Sequence, residues 1–295
     1  MYFLDFSFFG KHPYVLSLGL LMVDLAAHLF GVFYGGKKWL TLGSFALSPL
    51  ALSLLFPLAF CGLFYRLRSQ GRKGYLISGV LAAVFCLFLS YCHTFSGVLT
   101  FVFSAGVLML VASKKKFLLL FLLAVVCLIV LLMFYAPFRY RYGWERLYTV
   151  FVPSGDPMGS GYLSTQLKTV LSHSVLLGEG AAVSETQAYL LTDASMLRSD
   201  YLLTYLTYHY GWGASGIVVL LLAVFLGLGF RKALKQKSIF GQMVSLTILC
   251  TFTAEILLYI PANLGIWLIA PIALPFLSYG VTALLINMAL AGVLL

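Results

Sequence analysis

Long apolar stretches alternate with shorter polar segments along most of this chain. Eight of the apolar stretches can be drawn as membrane spans, and most approach the roughly 20 residues that a helix needs to cross a bilayer. They lie at about residues 13–34, 48–65, 75–92, 95–112, 117–135, 200–229, 239–260 and 270–294. The pattern predicts an all-α polytopic membrane protein with about eight transmembrane helices and one membrane domain over residues 1–295.

The longest polar stretch lies between the fifth and sixth predicted spans, over residues 136–198. With Asp200 just beyond it, this stretch is charged at a density that the interior of a bilayer would make too costly. It is therefore predicted to form one large loop outside the membrane. Spaced apolar residues over 162–177 predict a short helix on the membrane surface, ended by Gly178-Glu179-Gly180.

Composition agrees with a membrane protein, because 62% of the residues are hydrophobic, 9% are charged and the mean hydropathy is +1.01. The net charge of +10 would suggest nucleic acid in a soluble protein, but here it follows the positive-inside rule and predicts no nucleic-acid partner. Basic clusters follow the second, fourth and sixth spans, at residues 66–73, 114–116 and 231–237. The long loop is therefore predicted to face outward, with both termini in the cytoplasm.

Asp200 is the first candidate for chemistry. It opens a predicted span, and one face of that span would carry Asp200, Thr204, Thr207, Gly211 and Ala214 at helical spacing. Such a small and polar stripe should face protein or a water-filled cleft rather than lipid. A helix-packing seam with Asp200 as its N-cap explains the same pattern, and periodicity alone does not separate the two interpretations.

A second candidate group consists of cations predicted on the outer side, against the positive-inside bias. Its members are Lys37, Lys38, Arg139, Arg141, Arg146, Lys168 and Arg198. Arginine and lysine are natural partners of phosphates, and a lipid diphosphate is the anion that a membrane enzyme would meet there. Pairing with lipid headgroups or with acids of the loop is the alternative for some of them.

Ionisable residues inside predicted spans form a third group, made of Asp24, His28, His209 and Glu255. Ionisable residues inside membrane spans are costly to bury, so each is a candidate for a functional role. Asp24 and His28 are four residues apart, so they could pair on one helix face or serve a proton relay. The five cysteines, Cys61, Cys86, Cys92, Cys127 and Cys250, lie in apolar spans without zinc-ligand spacing and are predicted to be free packing thiols.

Several segments together resemble a known family. Leu274-Pro275-Phe276-Leu277-Ser278-Tyr279-Gly280, after Asn263-Leu264-Gly265 and Pro271, resembles the C-terminal signature of the SEDS proteins of shape, elongation, division and sporulation, such as FtsW, RodA and SpoVE. Ser199-Asp200-Tyr201-Leu202 followed by Gly211 resembles the T-D-F-I segment of that family. Matches also occur, in order, at residues 35–43, 146–162 and 178–180.

The chain departs from the family pattern at several places. Family members usually have ten spans, so the eight predicted here would correspond to the third through the tenth. The Q-P-S-E-x-x-K segment is replaced by Ser48-Pro49-Leu50-Ala51 with Leu54, which removes an intramembrane charge pair. The P-D-x-G segment is replaced by Thr94-Phe95-Ser96-Gly97, and the acids after T-D-F are replaced by Tyr208-His209.

The resemblance implies a peptidoglycan glycosyltransferase that polymerises lipid II at the outer face of the bacterial cytoplasmic membrane, in cell division, elongation or sporulation. Asp200 would be the general base, and Arg146, Lys168, Arg198, Lys37 and Lys38 would stabilise the departing undecaprenyl diphosphate, with Gln166 as a further substrate-binding residue. A divalent cation, Mg²⁺ or Mn²⁺, could share that task, although no ligand set is visible in the sequence. The implied partner is a class B penicillin-binding protein, a transpeptidase.

Two other functions remain open at this stage. The missing charge pair and acids fit a non-catalytic relative that binds a lipid-linked precursor or scaffolds a partner. A flippase or transporter would instead use Asp24, His28, Glu255 and His209 as a relay. The first alternative predicts partner binding that survives loss of Asp200, and the second predicts lipid movement that does not depend on Asp200.

Overall fold

A computed structural model describes residues 10–34, 37–42, 45–92, 95–112, 161–182, 200–266, 273–277 and 280–294. Within these ranges the structure is mostly helical. The helices are α1 Pro13–Phe30, α2 Pro49–Ser53, α3 Phe56–Leu67, α4 Arg72–Tyr91, α5 Phe95–Ala112, α6 Tyr162–Ser172, α7 Leu202–Tyr210, α8 Trp212–Leu234, α9 Ile239–Asn263 and α10 Val281–Leu294. The chain divides into a first unit (Met1–Tyr135, Leu228–Ala254 and Val281–Leu295) and a second unit (Ala136–Gly227 and Glu255–Gly280).

Five helical segments of the described part are long and apolar enough to cross a membrane. They are Pro13–Phe30, Pro49–Gln70, Arg72–Tyr91, Trp212–Leu234 and Ile239–Asn263, and two shorter apolar helices cover Ser96–Val111 and Val281–Leu294. Four of these segments, Pro13–Phe30, Pro49–Gln70, Arg72–Tyr91 and Ile239–Asn263, lie within a few residues of predicted spans, since apolar length is read directly from the sequence, whereas Trp212–Leu234 begins 12 residues after the start predicted for its span. The span predicted at about 117–135 lies outside the described residues, so the count of eight stays a prediction.

The prediction of an all-α fold is wrong after α1, where the first unit contains a small antiparallel sheet. Its strands are β1 Val32–Tyr34, β2 Lys37–Leu42 and β3 Phe45–Leu47, in the order β1-β2-β3. Val32 pairs with Trp39, and Leu40 pairs with Leu47. The helix ends because Gly31 is extended, and the aromatic and β-branched residues that follow favour strands.

The core of the first unit is a cluster of buried phenylalanines contributed by three neighbouring helices. Phe56 and Phe60 lie on α3, Phe85 on α4 and Phe101 on α5. The ring centroids of Phe56 and Phe85 are 5.5 Å apart, as are those of Phe60 and Phe101, and both pairs meet edge to face. This geometry is favoured by the aromatic quadrupole and fixes α3, α4 and α5 against one another.

The span predicted over 200–229 is not one helix, because the chain breaks at Gly211 between α7 and α8. Gly211 has a φ of +88°, which favours glycine, and a Cβ at this position would lie 2.5 Å from the carbonyl oxygen of Leu176. The polar stripe predicted to run from Asp200 to Ala214 along one helix is therefore interrupted. Its first part, with Thr204 and Thr207, belongs to α7 alone.

The helix predicted over 162–177 is confirmed as α6, but it ends at Ser172. The residues that follow bond to the C-terminal end of α7 instead of extending α6. The N–H of Gly180 donates to the oxygen of Tyr208 at 2.7 Å, and the N–H of Gly178 donates to that of Tyr210 at 3.3 Å. These carbonyls at the end of α7 have no partner within the helix, so the loop caps α7.

Candidate functional site

Asp200 lies directly before α7 in the second unit. Tyr201 occupies the N-cap position and α7 begins at Leu202, so the interpretation of Asp200 as the N-cap is wrong. The Tyr201 side chain is 4% exposed, whereas Asp200 is partly exposed. The chain therefore passes from a partly exposed aspartate to a buried tyrosine at the start of α7.

One turn into α7, Thr204 binds the last residue of α9. The N–H of Thr204 donates to Oδ1 of Asn263 at 3.1 Å, and its hydroxyl donates to the main-chain oxygen of Asn263 at 2.7 Å. The Asn263 amide also donates to the oxygen of Tyr259 at 3.1 Å, within α9. Asn263 and Thr204 are both 1% exposed, so these bonds are shielded from water and hold the start of α7 to the end of α9.

The chain leaves α9 through a turn at Gly265, whose φ is +67°. The N–H of Ile266 donates to the oxygen of Pro261 at 2.9 Å, which satisfies a carbonyl near the helix end. Helix α6 packs directly on this turn. The hydroxyl of Ser164 donates to the oxygen of Gly265, and a Cβ on Gly265 would lie 3.1 Å from Cγ of Lys168. The turn after α9 therefore contacts both α6 and, through Asn263, α7.

Lys168 is the one predicted outer cation that the described residues place in the same unit as Asp200. Its aliphatic stem lies against Gly265, whereas the residue as a whole is exposed, so the ammonium group is available to an anion in solution or at the membrane surface. Asp200 directly precedes α7 and Lys168 lies on α6, and both helices contact the end of α9, α7 at Asn263 and α6 at Gly265.

Gln166 lies two residues before Lys168 and is buried, with 7% exposure. Its Oε1 accepts no hydrogen bond from any residue that the structure describes. Burying an amide oxygen without a partner is costly, so Oε1 of Gln166 is a candidate acceptor for a group other than the described residues.

The other predicted cations lie either in the first unit or outside the described residues. Lys37 and Lys38 lie on β2 in the first unit, and Lys38 is partly exposed. Arg139, Arg141, Arg146 and Arg198 lie outside the described residues, so their predicted roles stay predictions.

His209 does not belong with the buried intramembrane acids, because it pairs with the polar loop. Its Nδ1 lies 3.3 Å from Oε1 of Glu179, and the two side chains are 32% and 71% exposed. The rings of Tyr205 and His209 are in contact and tilted to each other, with centroids 4.4 Å apart, and the hydroxyl of Tyr208 donates to the oxygen of Ala181 at 3.1 Å. This network secures the loop that caps α7, and sequence spacing could not reveal it because its members are far apart in the chain.

The predicted pairing of Asp24 with His28 is wrong. Asp24 is fully buried, and neither of its carboxylate oxygens accepts a geometrically good hydrogen bond from the described residues, although the Cys92 thiol is close enough to interact with the carboxylate. The ring of His28 instead contacts that of Tyr91 in a tilted arrangement, with centroids 4.7 Å apart. Glu255 on α9 is also buried.

Four cysteines, Cys61, Cys86, Cys92 and Cys250, are free and buried as predicted, and Cys127 lies outside the described residues. In the part of the chain that the structure describes, no three His, Cys, Asp or Glu side chains lie close enough together to hold a metal ion.

Sequence comparison gives a family match over the whole chain. A family model described as cell cycle protein, covering FtsW, RodA and SpoVE, matches residues 1–295. Stage V sporulation protein E of Bacillus subtilis (strain 168) is 25% identical over 288 residues, which cover 95% of this chain and 76% of that protein. The probable peptidoglycan glycosyltransferase FtsW of Pseudoalteromonas translucida (strain TAC 125) is 27% identical over 295 residues, which cover 96% and 72%.

Structural comparison supports the same fold. A chain of a peptidoglycan synthase complex, studied for its coordination of polymerization and crosslinking, matches with a TM-score of 0.74 at 20% identity, over 99% of this chain and 82% of that one. Rod shape determining protein RodA of Thermus thermophilus matches with a TM-score of 0.66 at 15% identity, over 99% and 79%.

Proposed function

Because the chain belongs to the FtsW, RodA and SpoVE family of cell cycle proteins, we propose that it is a peptidoglycan glycosyltransferase. In this proposal it polymerises lipid II at the outer face of the bacterial cytoplasmic membrane, during division, elongation or sporulation. Support comes from its similarity to FtsW proteins named as probable peptidoglycan glycosyltransferases and to a sporulation protein.

The observation that carries the proposal is that Asp200, directly before α7, and Lys168, on α6, belong to elements that both contact the end of α9. The carboxylate is partly exposed at the start of α7, and the lysine projects from α6, which packs on the turn after α9. The buried bonds between Thr204 and Asn263 hold α7 to the same turn. A base and a cation supported by one packed framework suit a reaction that removes a proton and releases an anion.

In the proposed reaction, the 4-hydroxyl of the acceptor sugar attacks the anomeric carbon of the donor. Asp200 accepts the hydroxyl proton as the new carbon–oxygen bond forms, which requires an approach of about 2.6–3.2 Å. The bond between the anomeric carbon and the diphosphate oxygen breaks, and its electron pair leaves with undecaprenyl diphosphate. Lys168 stabilises that charge, and Arg146 and Arg198 are proposed to assist.

Gln166 fits this proposal as a substrate-binding residue, since a buried amide oxygen with no hydrogen-bond partner among the described residues can accept a hydrogen bond from a sugar hydroxyl or amide. We also propose a class B penicillin-binding protein as the partner. Its support is the fold similarity to a chain from a peptidoglycan synthase complex.

The test is polymerisation of fluorescently labelled lipid II by the purified chain, with and without a cognate class B partner. Asp200→Asn should abolish polymer formation. Asp24→Asn is the matched control, because it makes the same chemical change at a buried site in the first unit and should leave polymerisation largely intact.

The other outcomes distinguish the competing functions. A folded parent chain that makes no polymer but retains its partner after Asp200→Asn would favour a non-catalytic relative. Movement of a labelled lipid-linked precursor across vesicles that is lost in Asp24→Asn and kept in Asp200→Asn would favour a flippase.

A further inference from the structure

The first unit has many basic residues and almost no acids. It includes most of the 19 Lys and Arg residues of the chain, but only Asp5 and Asp24 of the nine acids. Asp24 is fully buried, and no Asp or Glu occurs in the sequence between Asp200 and Glu255, where α8 and α9 meet. The cations of this region therefore have few intramolecular counter-charges.

Two basic segments of this unit lie side by side. At the end of α3, the ring of Tyr65 contacts that of Phe240 of α9 in a tilted arrangement, with centroids 4.7 Å apart. Arg68 Nη1 donates to the sulfur of Met243 at 3.3 Å. The basic residues that follow α3 are thus near the start of α9 and the basic turn before it, which contains Lys235 and Lys237. The two segments follow the second and sixth predicted spans, which are predicted to end on the same side of the membrane. Both segments are therefore expected at one membrane surface.

A cavity of about 230 Å³ opens beside the turn between α8 and α9. One wall is polar, with Gln236, Lys237 and Ser238 from the turn and Ser245 from α9, and Val244 and Val293 provide apolar surface. The Gln236 amide donates to the hydroxyl of Ser245 at 2.8 Å, which orders the polar wall. Lys237 is exposed and forms no ion pair with any residue in the described ranges, so its three donors are available to a ligand.

We propose that this cavity binds the headgroup of an anionic phospholipid, with Lys237 contacting the phosphate. A phosphodiester supplies the negative charge that the unit lacks, and the glycerol and first acyl carbons suit the apolar wall formed by Val244 and Val293. The volume corresponds to about eight liquid waters, which is room for a phosphate and its glycerol. The proposal does not depend on the glycosyltransferase activity.

The experiment measures binding of short-chain phosphatidylglycerol and phosphatidylcholine, with identical acyl chains, to the purified full chain in detergent by native mass spectrometry. The parent should prefer phosphatidylglycerol. Lys237→Ala should weaken that binding by about tenfold or more, because it removes a charged hydrogen bond. Lys237→Arg should retain it.

Lys235→Ala is the matched control, since it removes the same charge from an exposed residue two positions away that does not line the cavity. It should weaken binding by only about twofold, as expected for a screened surface charge. Equal losses in the two alanine variants, or equal affinity of the parent for the two lipids, would overturn the proposal in favour of diffuse attraction. Thermal unfolding of each variant confirms that it is folded.

Two competitors separate the possible sources of the phosphate. Glycerol 1-phosphate, which lacks acyl chains, should compete poorly; displacement as effective as that by the lipid would mean that the site takes a soluble phosphate ester. Undecaprenyl diphosphate should also compete poorly. Stronger binding of that lipid, lost in Lys237→Ala, would assign the cavity to the substrate carrier and overturn the phospholipid proposal.

Discussion

Thr204 donates two hydrogen bonds to Asn263, from its N–H to the side-chain Oδ1 and from its hydroxyl to the main-chain oxygen, and both residues are almost completely buried. These bonds join α7 to α9 through two residues that are 59 positions apart in the chain. They also lie one helical turn from Asp200, so they can fix the position of the proposed base without touching a substrate.

We expect Thr204→Val to destabilise the protein by about 1–3 kcal/mol, because valine keeps the shape but leaves the oxygen of Asn263 without its hydroxyl donor. Lipid II polymerisation should fall as well, since the start of α7 becomes less well fixed. Thermal unfolding and initial rates are the measurements. Thr165→Val is the control: among the described residues its hydroxyl bonds to Gly161, directly before its own helix, at 3.1 Å, and stability should hardly change. Equal effects of the two substitutions would contradict this account.

The break between α7 and α8 should depend on glycine at position 211. Gly211→Ala combines a positive φ with a Cβ 2.5 Å from the oxygen of Leu176, so we expect a loss of about 1–3 kcal/mol. Gly216→Ala, inside α8 and facing open space, should be neutral or stabilising by up to about 1 kcal/mol. Denaturant unfolding in detergent compares the two. Similar stability for both variants would show that the break tolerates a side chain.

Lys168→Ala should lower the polymerisation rate by about a hundredfold while leaving the unfolding temperature unchanged, because the ammonium is exposed and acts on the leaving diphosphate. Lys168→Arg should keep much of the rate, since the charge remains. Lys232→Ala removes an equally exposed cation from the first unit and should leave the rate near that of the parent. A rate unaffected by Lys168→Ala would remove this residue from the proposed site.

Gln166→Met should have opposite effects on stability and on activity. Removing a buried amide whose oxygen has no partner among the described residues should leave stability unchanged or raise it by about 1 kcal/mol. If the same oxygen accepts a bond from substrate, KM for lipid II should rise. A variant that is clearly destabilised, with KM unchanged, would identify Gln166 as structural. Thermal unfolding with steady-state kinetics separates these outcomes.

The long apolar helices and α6 could be predicted because they depend on local properties. Apolar length located Pro13–Phe30 and Ile239–Asn263, and spaced apolar residues located α6. The family resemblance likewise followed from short segments read in order, and the whole-chain family match confirms it. The basic clusters after the second and sixth spans were predicted to share one side, and the contact between Tyr65 and Phe240 agrees with that prediction.

Tertiary structure alone decided the features that depend on distant partners. The break at Gly211 depends on Leu176, which lies 35 positions earlier in the chain and whose backbone contacts that glycine. Three other features have no local signature in the sequence. They are the bond between Asn263 and Thr204, the loop that caps α7, and the contact between the tilted rings of His28 and Tyr91. Hydrophobic periodicity reports which surface a helix buries. It does not show which distant backbone packs against that surface. The sequence therefore indicated the apolar spans and the candidate acid. The tertiary structure determined which contacts hold the helix that follows that acid.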